Sequence, residues 1–192
     1  GIERINVCTY QAVSGAGRNA VEELARQTAA LMNGRPVELK GDAKHIGFNA
    51  IPHIDQFMEN RYTREEMKMV WETRKILNDQ EIQVNPTTVR IPVFYGHSEA
   101  VHIETRDKIS AQSVVELLAK APGIEVLDGV ETGQYPTAVT EASGTDPVFV
   151  GRIREDISHP RGINLWVVAD NIRKGAALNS VQIAEILAKN YL

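Results

Sequence analysis

The spacing of hydrophobic and polar positions changes along the chain, and these changes predict alternating strands and helices. Over 5–12 every second residue, beginning with Ile5 and Val7, falls on one face, which is the pattern of a strand. After a glycine-rich break, apolar residues at helical spacing predict a helix over about 18–33. Asn33-Gly34 ends that helix.

The best-marked helix follows residues 35–60, where the pattern is irregular and indicates only a short element at 49–58. Thr63 to Glu66 has the S/T-x-x-E form of a capping box. An apolar stripe at helical spacing then continues to Asn78. We therefore predict a helix that begins after Thr63 and ends at Asn78.

The second half of the chain predicts more strands than helices. Helical spacing indicates one helix from Ser110, ended by Pro122-Gly123, and another over about 179–190. Runs of strand length lie at 87–93, 99–104, 124–127, 148–154 and 163–169. These elements predict an α+β fold: a mixed, largely antiparallel sheet with helices packed mainly on one face. The few helices cannot cover both faces, which is consistent with a homodimer through the second face.

Composition and charge narrow the class of protein. The 192 residues have 43% hydrophobic and 24% charged side chains, which is ordinary for one globular domain. A net charge of -4 argues against a general nucleic-acid binder. Apolar runs such as 165–169 are too short to span a bilayer, and no signal peptide opens the chain. A cytoplasmic protein is therefore expected. Because the sequence opens Gly1-Ile2-Glu3 without Met, we also expect it to be part of a longer protein.

The first candidate for chemistry is the segment from Thr9 to Gly17. Gln11 ends the predicted strand, and the glycine-rich turn after it can present backbone N–H groups to an anionic or carbonyl ligand. An ordinary tight connection with a surface Gln explains the same pattern, and the segment alone favours it. The turn has only two glycines, so most of any nucleotide-cofactor site is expected elsewhere.

The second candidate is a charged face of the helix that follows Thr63. Lys68, Glu72 and Lys75 recur at i, i+4 and i+7 and therefore share a face. The carboxylate can take an amino group, and a lysine can take a phosphate. A solvated face with weak Glu–Lys pairs explains the pattern equally, and is favoured when the segment is taken alone.

The third candidate is the pair Arg90 and His97. Arg90 lies in an apolar stretch, where an unpaired guanidinium is costly to bury, and a carboxylate ligand would satisfy it. His97 follows Gly96 at a strand junction, where an imidazole can move protons near neutral pH. Catalytic and structural interpretations stay balanced here. The single cysteine, Cys8, excludes a disulfide framework and a multi-Cys zinc site, and its mid-strand position argues against a nucleophile.

Taken together, four stretches resemble the aspartate-semialdehyde dehydrogenase family. They read TYQAVSGAG (9–17), MVWETRKIL (69–77), RIPVFYGHSEAVHIET (90–105) and NLWVVADNIRKGAALN (164–179). The resemblance implies the C-terminal catalytic and dimerisation domain of such an enzyme, with a fold like that of glyceraldehyde-3-phosphate dehydrogenase-like enzymes. Residues 1–176 would form that domain, and 177–192 a helix that packs on a separate NADP-binding domain.

The resemblance also implies roles for five residues. Gln11 would orient the substrate, Glu72 would take its α-amino group, Lys75 its phosphate and Arg90 its α-carboxylate. His97 would be the acid/base catalyst. The implied reaction is the NADPH-dependent reductive dephosphorylation of L-aspartyl-4-phosphate to L-aspartate 4-semialdehyde, which serves lysine, methionine and threonine biosynthesis. No metal is implied.

The cofactor side of the resemblance is incomplete. Ser14, Gly15 and Asn171 match contacts near the nicotinamide end of NADP. The Asn-Cys segment with the nucleophile, the glycine-rich dinucleotide motif and a phosphate-binding Arg all precede this part of the family's sequence. The isolated chain is therefore expected to be inactive. The alternative is a non-catalytic relative or a dimerisation module of the same fold.

Overall fold

A computed structural model describes residues 1–39, 41 and 43–191, and these form six strands and four helices. The strands are β1 (Ile2–Gln11), β2 (Gln83–Arg90), β3 (His97–Thr105), β4 (Ile124–Val126), β5 (Val148–Glu155) and β6 (Gly162–Ala169). The helices are α1 (Arg18–Met32), α2 (Arg64–Leu77), α3 (Ala111–Leu118) and α4 (Leu178–Tyr191). Short helical turns lie at 13–16, 138–142 and 173–177.

The strands form one sheet in the order β2-β1-β3-β6-β5-β4. The pairs β1/β3, β3/β6 and β5/β6 are antiparallel, whereas β1/β2 and β4/β5 at the two edges are parallel. The connection from β1 to β2 is a long crossover that contains α1 and α2, as a parallel pair requires. The predicted α+β class with a largely antiparallel sheet is confirmed.

One predicted strand was misplaced. The expectation of 87–93 is wrong because β2 begins at Gln83, contains Pro86 and ends at Arg90. Proline normally argues against a strand, but β2 is an edge strand, where a missing N–H is tolerated. The element expected at 49–58 consists of two isolated bridges, from Ile51 to Arg90 and from Phe57 to Thr63.

Helices pack against one face of the sheet, which we call the covered face. Val114, Val115 and Leu118 of α3 pack against a core that includes Val150 and Ile163. On the other side of the sheet, the open face, side chains remain partly exposed. They include Cys8 and Tyr10 of β1, Ala100 and His102 of β3, and Asn164 and Trp166 of β6. The sheet therefore has one face that helices fill and one that is available for contact.

The N-terminus of α2 is tied to the edge strand by a buried carboxylate. The Glu66 side chain accepts hydrogen bonds from the backbone N–H groups of Thr63 (2.8 Å) and Thr88 (3.1 Å). The Thr63 hydroxyl accepts in return from the Glu66 N–H, which completes the predicted capping box. Glu66 thus caps the helix and satisfies an N–H of an edge strand at the same time. This contact sets where the first turn of α2 meets the sheet.

Replacement of Glu66 by Ala should lower the free energy of unfolding by about 3 kcal/mol, because two buried N–H groups lose a charged acceptor. Urea denaturation of the chain measures this loss. Glu72→Ala on the exposed side of the same helix is the control, and it should change stability by less than about 0.5 kcal/mol. Equal effects at the two positions would show that the Glu66 contacts do not anchor the helix.

The last helix differs from the others in its packing. None of the described residues of α4 is buried, and its exposed apolar side chains include Val181, Ile183, Ile186 and Leu187. An amphipathic helix that buries no face within its own domain has an apolar surface left to contact another body. None of the helices in the described part of the chain is long and apolar enough to span a membrane.

Candidate active site

Four strand ends meet at one edge of the sheet and bring distant parts of the sequence together. Gln11 ends β1 and pairs with Arg90, which ends the parallel strand β2. His97 begins the antiparallel strand β3 and pairs with Ala169, the last residue of β6. Asn171 follows two residues later. The topology alone therefore collects these side chains at one place.

Arg90 and His97 converge on the glycine-rich turn after β1. A Cβ atom placed on Gly15 would lie 3.4 Å from Nη1 of Arg90 and 3.6 Å from Nε2 of His97. Because Gly15 has no side chain, a small gap remains there, and the side chains of Arg90 and His97 line it. Structural data thus place Arg90 and His97 on the same surface, as the sequence-based hypothesis requires.

Arg90 is a partly buried guanidinium with spare hydrogen-bond donors. Its Nη1 donates to the backbone carbonyl of Ala12 at 2.6 Å, and within the described residues it forms no ion pair. Burial lowers the pKa of Arg90, and the nearby Glu65 carboxylate partly offsets this effect. A partly desolvated arginine in this state favours a planar anion that it can hold at two points.

His97 is oriented by a backbone donor. The Ala12 N–H donates to Nδ1 of His97 at 3.1 Å, so the neutral ring holds its proton on Nε2, which faces Gly15. Burial, and then the positive charge of Arg90, lower the pKa of His97 to about 4. His97 is therefore neutral at physiological pH and presents an N–H donor to the gap.

This pKa predicts a specific loss of stability in acid. The unfolded chain protonates His97 near pH 6.5, whereas the folded chain protonates it near pH 4, so between these values the unfolded state binds more protons. The His97 contribution is intact above pH 6.5 and falls by up to about 3 kcal/mol as pH drops toward 4. Urea denaturation at about pH 7 and about pH 4.5 measures how much the free energy of unfolding decreases in acid. This decrease should be smaller in His97→Gln than in the unmodified chain. His53→Gln, at an exposed histidine, serves as control. Parallel decreases in the unmodified chain and His97→Gln would refute the prediction.

Glu65 is a member of this cluster that sequence reasoning missed. Its Oε1 accepts a hydrogen bond from Nε2 of the buried Gln11 at 3.3 Å, and its Oε2 pairs with Nζ of Lys68 at 2.9 Å. The same Gln11 amide donates to the Thr9 hydroxyl at 3.3 Å. The capping box was the available signal, because it places Glu65 in the first turn of α2, beside the edge of the sheet.

Glu72 and Lys75 are not brought to this cluster, which corrects their expected placement. Both are exposed on α2. With a rise of about 1.5 Å per residue, Glu72 lies roughly 10 Å and Lys75 roughly 15 Å along the helix axis from Glu65. Glu72 shares a face with Lys68 and helps to raise its pKa, although Glu65 has the larger effect. The predicted helical periodicity is correct, but the first turn of α2, which carries Glu65, is the one that contacts the site.

Ser14 and Asn171 contact each other at the same edge. The amide of Asn171 donates to the buried Ser14 hydroxyl at 3.0 Å, and that hydroxyl lies 3.2 Å from Oδ1 of Asn171. Oδ1 also accepts from the Gly96 N–H at 2.9 Å. The two residues expected to touch a cofactor are thus adjacent, and much of their hydrogen-bonding capacity is used within the protein.

Cys8 lies away from this cluster. It is on the open face of β1, opposite Ala100 of β3, whereas Thr9 and Gln11 point to the covered face or its edge. Its proximity to Tyr10 raises the pKa of that phenol, as does burial. Among the described residues, no group of three or more His, Cys, Asp or Glu side chains is placed to hold a metal ion.

Comparisons with known proteins agree on one family. The family model described as "Semialdehyde dehydrogenase, dimerisation domain" matches residues 1–174. The aspartate-semialdehyde dehydrogenase of Legionella pneumophila is 62% identical over 192 residues, which are 100% of this chain and 55% of that protein. Aspartate-semialdehyde dehydrogenase 2 of Vibrio cholerae is 62% identical over 191 residues, or 100% of this chain and 56% of that protein. The chain thus spans about half the length of the curated relatives it matches.

Solved structures give the same result. The crystal structure of aspartate semialdehyde dehydrogenase II from Vibrio cholerae has a TM-score of 0.95 and 61% identity, covering 100% of this chain and 56% of that one. A structure of that protein complexed with ASA gives the same values. The Candida albicans enzyme with NADP is more distant, with a TM-score of 0.70 and 26% identity, over 100% of this chain and 52% of its own.

Proposed function

The chain belongs to the semialdehyde dehydrogenase family, as its dimerisation domain, and on this premise we propose that it is the catalytic and dimerisation part of an aspartate-semialdehyde dehydrogenase. The proposed reaction is the NADPH-dependent reductive dephosphorylation of L-aspartyl-4-phosphate to L-aspartate 4-semialdehyde. The observation that carries the proposal is the convergence of Arg90, His97 and the Gln11–Glu65 pair at one edge of the sheet.

The charges at this edge suit an amino acid with a second anionic group. Arg90 would hold the α-carboxylate with two N–H donors, and Glu65 would accept from the α-ammonium group. Lys68 is a point charge suited to the phosphate. We propose Glu65 and Lys68 for the roles that the sequence had suggested for Glu72 and Lys75, because they contact the cluster directly. Binding these remote groups orients the reacting carbonyl and lowers the entropic part of the barrier.

His97 would stabilise negative charge in this reaction. Its Nε2–H would donate a hydrogen bond to the oxygen on which negative charge develops, without giving up the proton. The low pKa of His97 keeps the ring neutral, so it would act as a hydrogen-bond donor and not as an imidazolium acid. Cys8 has the wrong face and position for the nucleophile, which we propose comes from a segment outside this chain. The isolated chain should then be inactive.

We propose that this chain contacts only the reactive end of a dinucleotide. Gly15 carries no side chain where it faces Arg90 and His97, so a flat ring could approach its backbone, and Ser14 and Asn171 are hydrogen-bonded to each other at the same turn. These residues would contact a nicotinamide ring, and bound NADP would supply the hydride acceptor or donor. The phosphate and ribose contacts would come from another domain, on which the exposed apolar side of α4 would pack. Of the predicted 177–192 segment, residue 192 lies outside the described residues. A cytoplasmic location stays a prediction.

A chimera tests the proposed function. The matching region of the Vibrio cholerae enzyme is replaced by this chain, and NADP reduction is measured with aspartate semialdehyde and phosphate. We expect activity in the chimera and none in the isolated chain. Glu65→Gln should raise KM for the semialdehyde, whereas the matched change Glu72→Gln should not. A folded, dimeric chimera without activity would instead favour a non-catalytic dimerisation module.

We further propose that the open face forms the interface of a homodimer. It is centred on Ala100, which lies between Cys8 of β1 and Trp166 of β6, and its side chains remain partly exposed in the single chain. A two-fold axis through such a face would bury the same surface on both copies. The family description supports a dimerising role for this domain.

Ala100→Arg should convert the dimer to a monomer, because it places a further guanidinium beside Arg152 and Arg154 at the centre of the interface. Light scattering at micromolar concentration measures the mass of both proteins. Ala119→Arg, on the exposed side of the end of α3, is the matched control and should stay dimeric. A monomeric unmodified chain, or a dimeric Ala100→Arg variant, would contradict this interface.

A further inference from the structure

We infer that Asn171 is a positioning residue that holds the His97 ring against its backbone donor. One side chain contacts both structural parts that meet at the histidine. Its Oδ1 accepts from the N–H of Gly96, the residue before His97 (2.9 Å). Its amide nitrogen donates to the hydroxyl of Ser14 (3.0 Å), in the turn that follows β1. Asn171 therefore links the strand that carries the imidazole to the turn that receives it.

The Gly96 end of this link has little freedom. Gly96 has φ +87°, and a Cβ placed there would lie 2.6 Å from the carbonyl oxygen of Ala138. Only glycine fits this conformation and this space. With Ala138 on one side and the Asn171 oxygen on its N–H, the backbone that leads into His97 has one position.

The Ser14 end fixes the other partner of the ring. The Ser14 N–H donates to the Phe94 carbonyl at 3.1 Å, and two residues earlier the Ala12 N–H donates to Nδ1 of His97 at 3.1 Å. Gly15 lies against Nε2 on the opposite edge of the imidazole. Moving Ser14 therefore moves both contacts of the ring, and Asn171 is the side chain that ties Ser14 to the far end of β6.

The consequence is control of the histidine tautomer. With Ala12 donating to Nδ1, the neutral ring has its proton on Nε2, toward the gap. Without Asn171, water would compete with Ala12 for Nδ1, and both tautomers would be populated. The charges that face the ring come from three elements besides its own: Arg90 at the end of β2, Glu65 on α2 and Asp170 after β6. Asn171→Ala changes none of these charges directly.

The inference rests on the proposed function for its catalytic meaning, but its test needs no activity. The tautomer and the titration of His97 are followed by ¹⁵N–¹H NMR of the imidazole in this chain. The unmodified chain should show an unprotonated Nδ1 and a protonated Nε2 at neutral pH. In Asn171→Ala the nitrogen signals should average between tautomers, and the titration midpoint should rise by about one pH unit as water reaches the ring.

Ser14→Ala supplies a second, smaller change. It keeps the hydrogen bond between Asn171 and Gly96 and removes only the one between Asn171 and the turn after β1. It should move the midpoint in the same direction by less than Asn171→Ala, and it decides the matter if Asn171→Ala does not fold. Asn179→Ala, at an exposed position of α4, is the matched control and should leave the His97 signals unchanged. A fixed Nε2–H tautomer and an unshifted midpoint in a folded Asn171→Ala or Ser14→Ala variant would overturn the inference. If the chimera made with the unmodified chain is inactive while the His97 NMR signals behave as expected, this would instead count against the proposed function.

Discussion

In the chimeric enzyme, His97→Asn should lower kcat by about 10²–10³-fold and change KM little. Asparagine can still accept the Ala12 N–H, but it has no atom where Nε2 lies and cannot donate to the substrate oxygen there. The position of the ring supports this expectation, because Nε2 faces the Gly15 gap while Nδ1 is held by the backbone. The expected loss is that of one hydrogen-bond donor aimed at the oxygen on which negative charge develops.

Two further measurements separate a catalytic histidine from a structural one. The melting temperature of His97→Asn is compared with that of the unmodified chimera, and kcat is corrected for the folded fraction. His53→Asn, at an exposed histidine, should keep kcat. Near-normal kcat in folded His97→Asn would remove His97 from the mechanism and leave the ring a structural role only.

Local signals in the sequence predicted the elements that depend on local interactions. The capping box from Thr63 to Glu66 predicted the start of α2, and the structure confirms both of its hydrogen bonds. The strand around Pro86 was placed too late because proline is read as a strand breaker, and only the sheet order shows that β2 is an edge. Edge position is a tertiary property, so the pattern of one segment does not contain it.

The candidate site shows the same division. Arg90 was singled out because its charge is out of place in an apolar stretch, and His97 because of its position after Gly96. Glu65 and Glu72 are seven residues apart and share a helix face, so periodicity cannot say which turn meets the sheet. The buried contact between Glu66 and the Thr88 N–H decides it in favour of the first turn.

The link between Ser14 and Asn171 had no sequence signal of its own. The residues are 157 positions apart, and their hydrogen bonds exist only because β1 and β6 end at the same edge of one sheet. The resemblance had drawn both residues together as cofactor contacts. Their hydrogen bonds add a role in positioning His97, which depends on the ends of three strands lying together. The local sequence pattern does not contain that arrangement.

Arg90→Lys in the chimera should weaken substrate binding by about 2–3 kcal/mol, which corresponds to a rise in KM of roughly 30- to 150-fold. Lysine keeps the charge but loses the planar two-point contact with a carboxylate. It also loses the Nη1 contact with the carbonyl of Ala12. The N–H of the same residue orients His97. We therefore expect a larger effect on KM than on kcat, with a smaller decrease in kcat from the disturbed turn.

Arg64→Lys provides the matched control. It makes the same substitution at an exposed arginine, one residue before Glu65 in the sequence. It should leave KM and kcat unchanged. 3-Aminopropanal, which keeps the amino group of aspartate semialdehyde but lacks its α-carboxylate, separates the role of Arg90 from a general loss of structure. If Arg90 binds the carboxylate, Arg90→Lys should impair turnover of aspartate semialdehyde far more than turnover of this analogue. Equal losses with both substrates would mean that the guanidinium supports the fold of the turn and does not bind substrate.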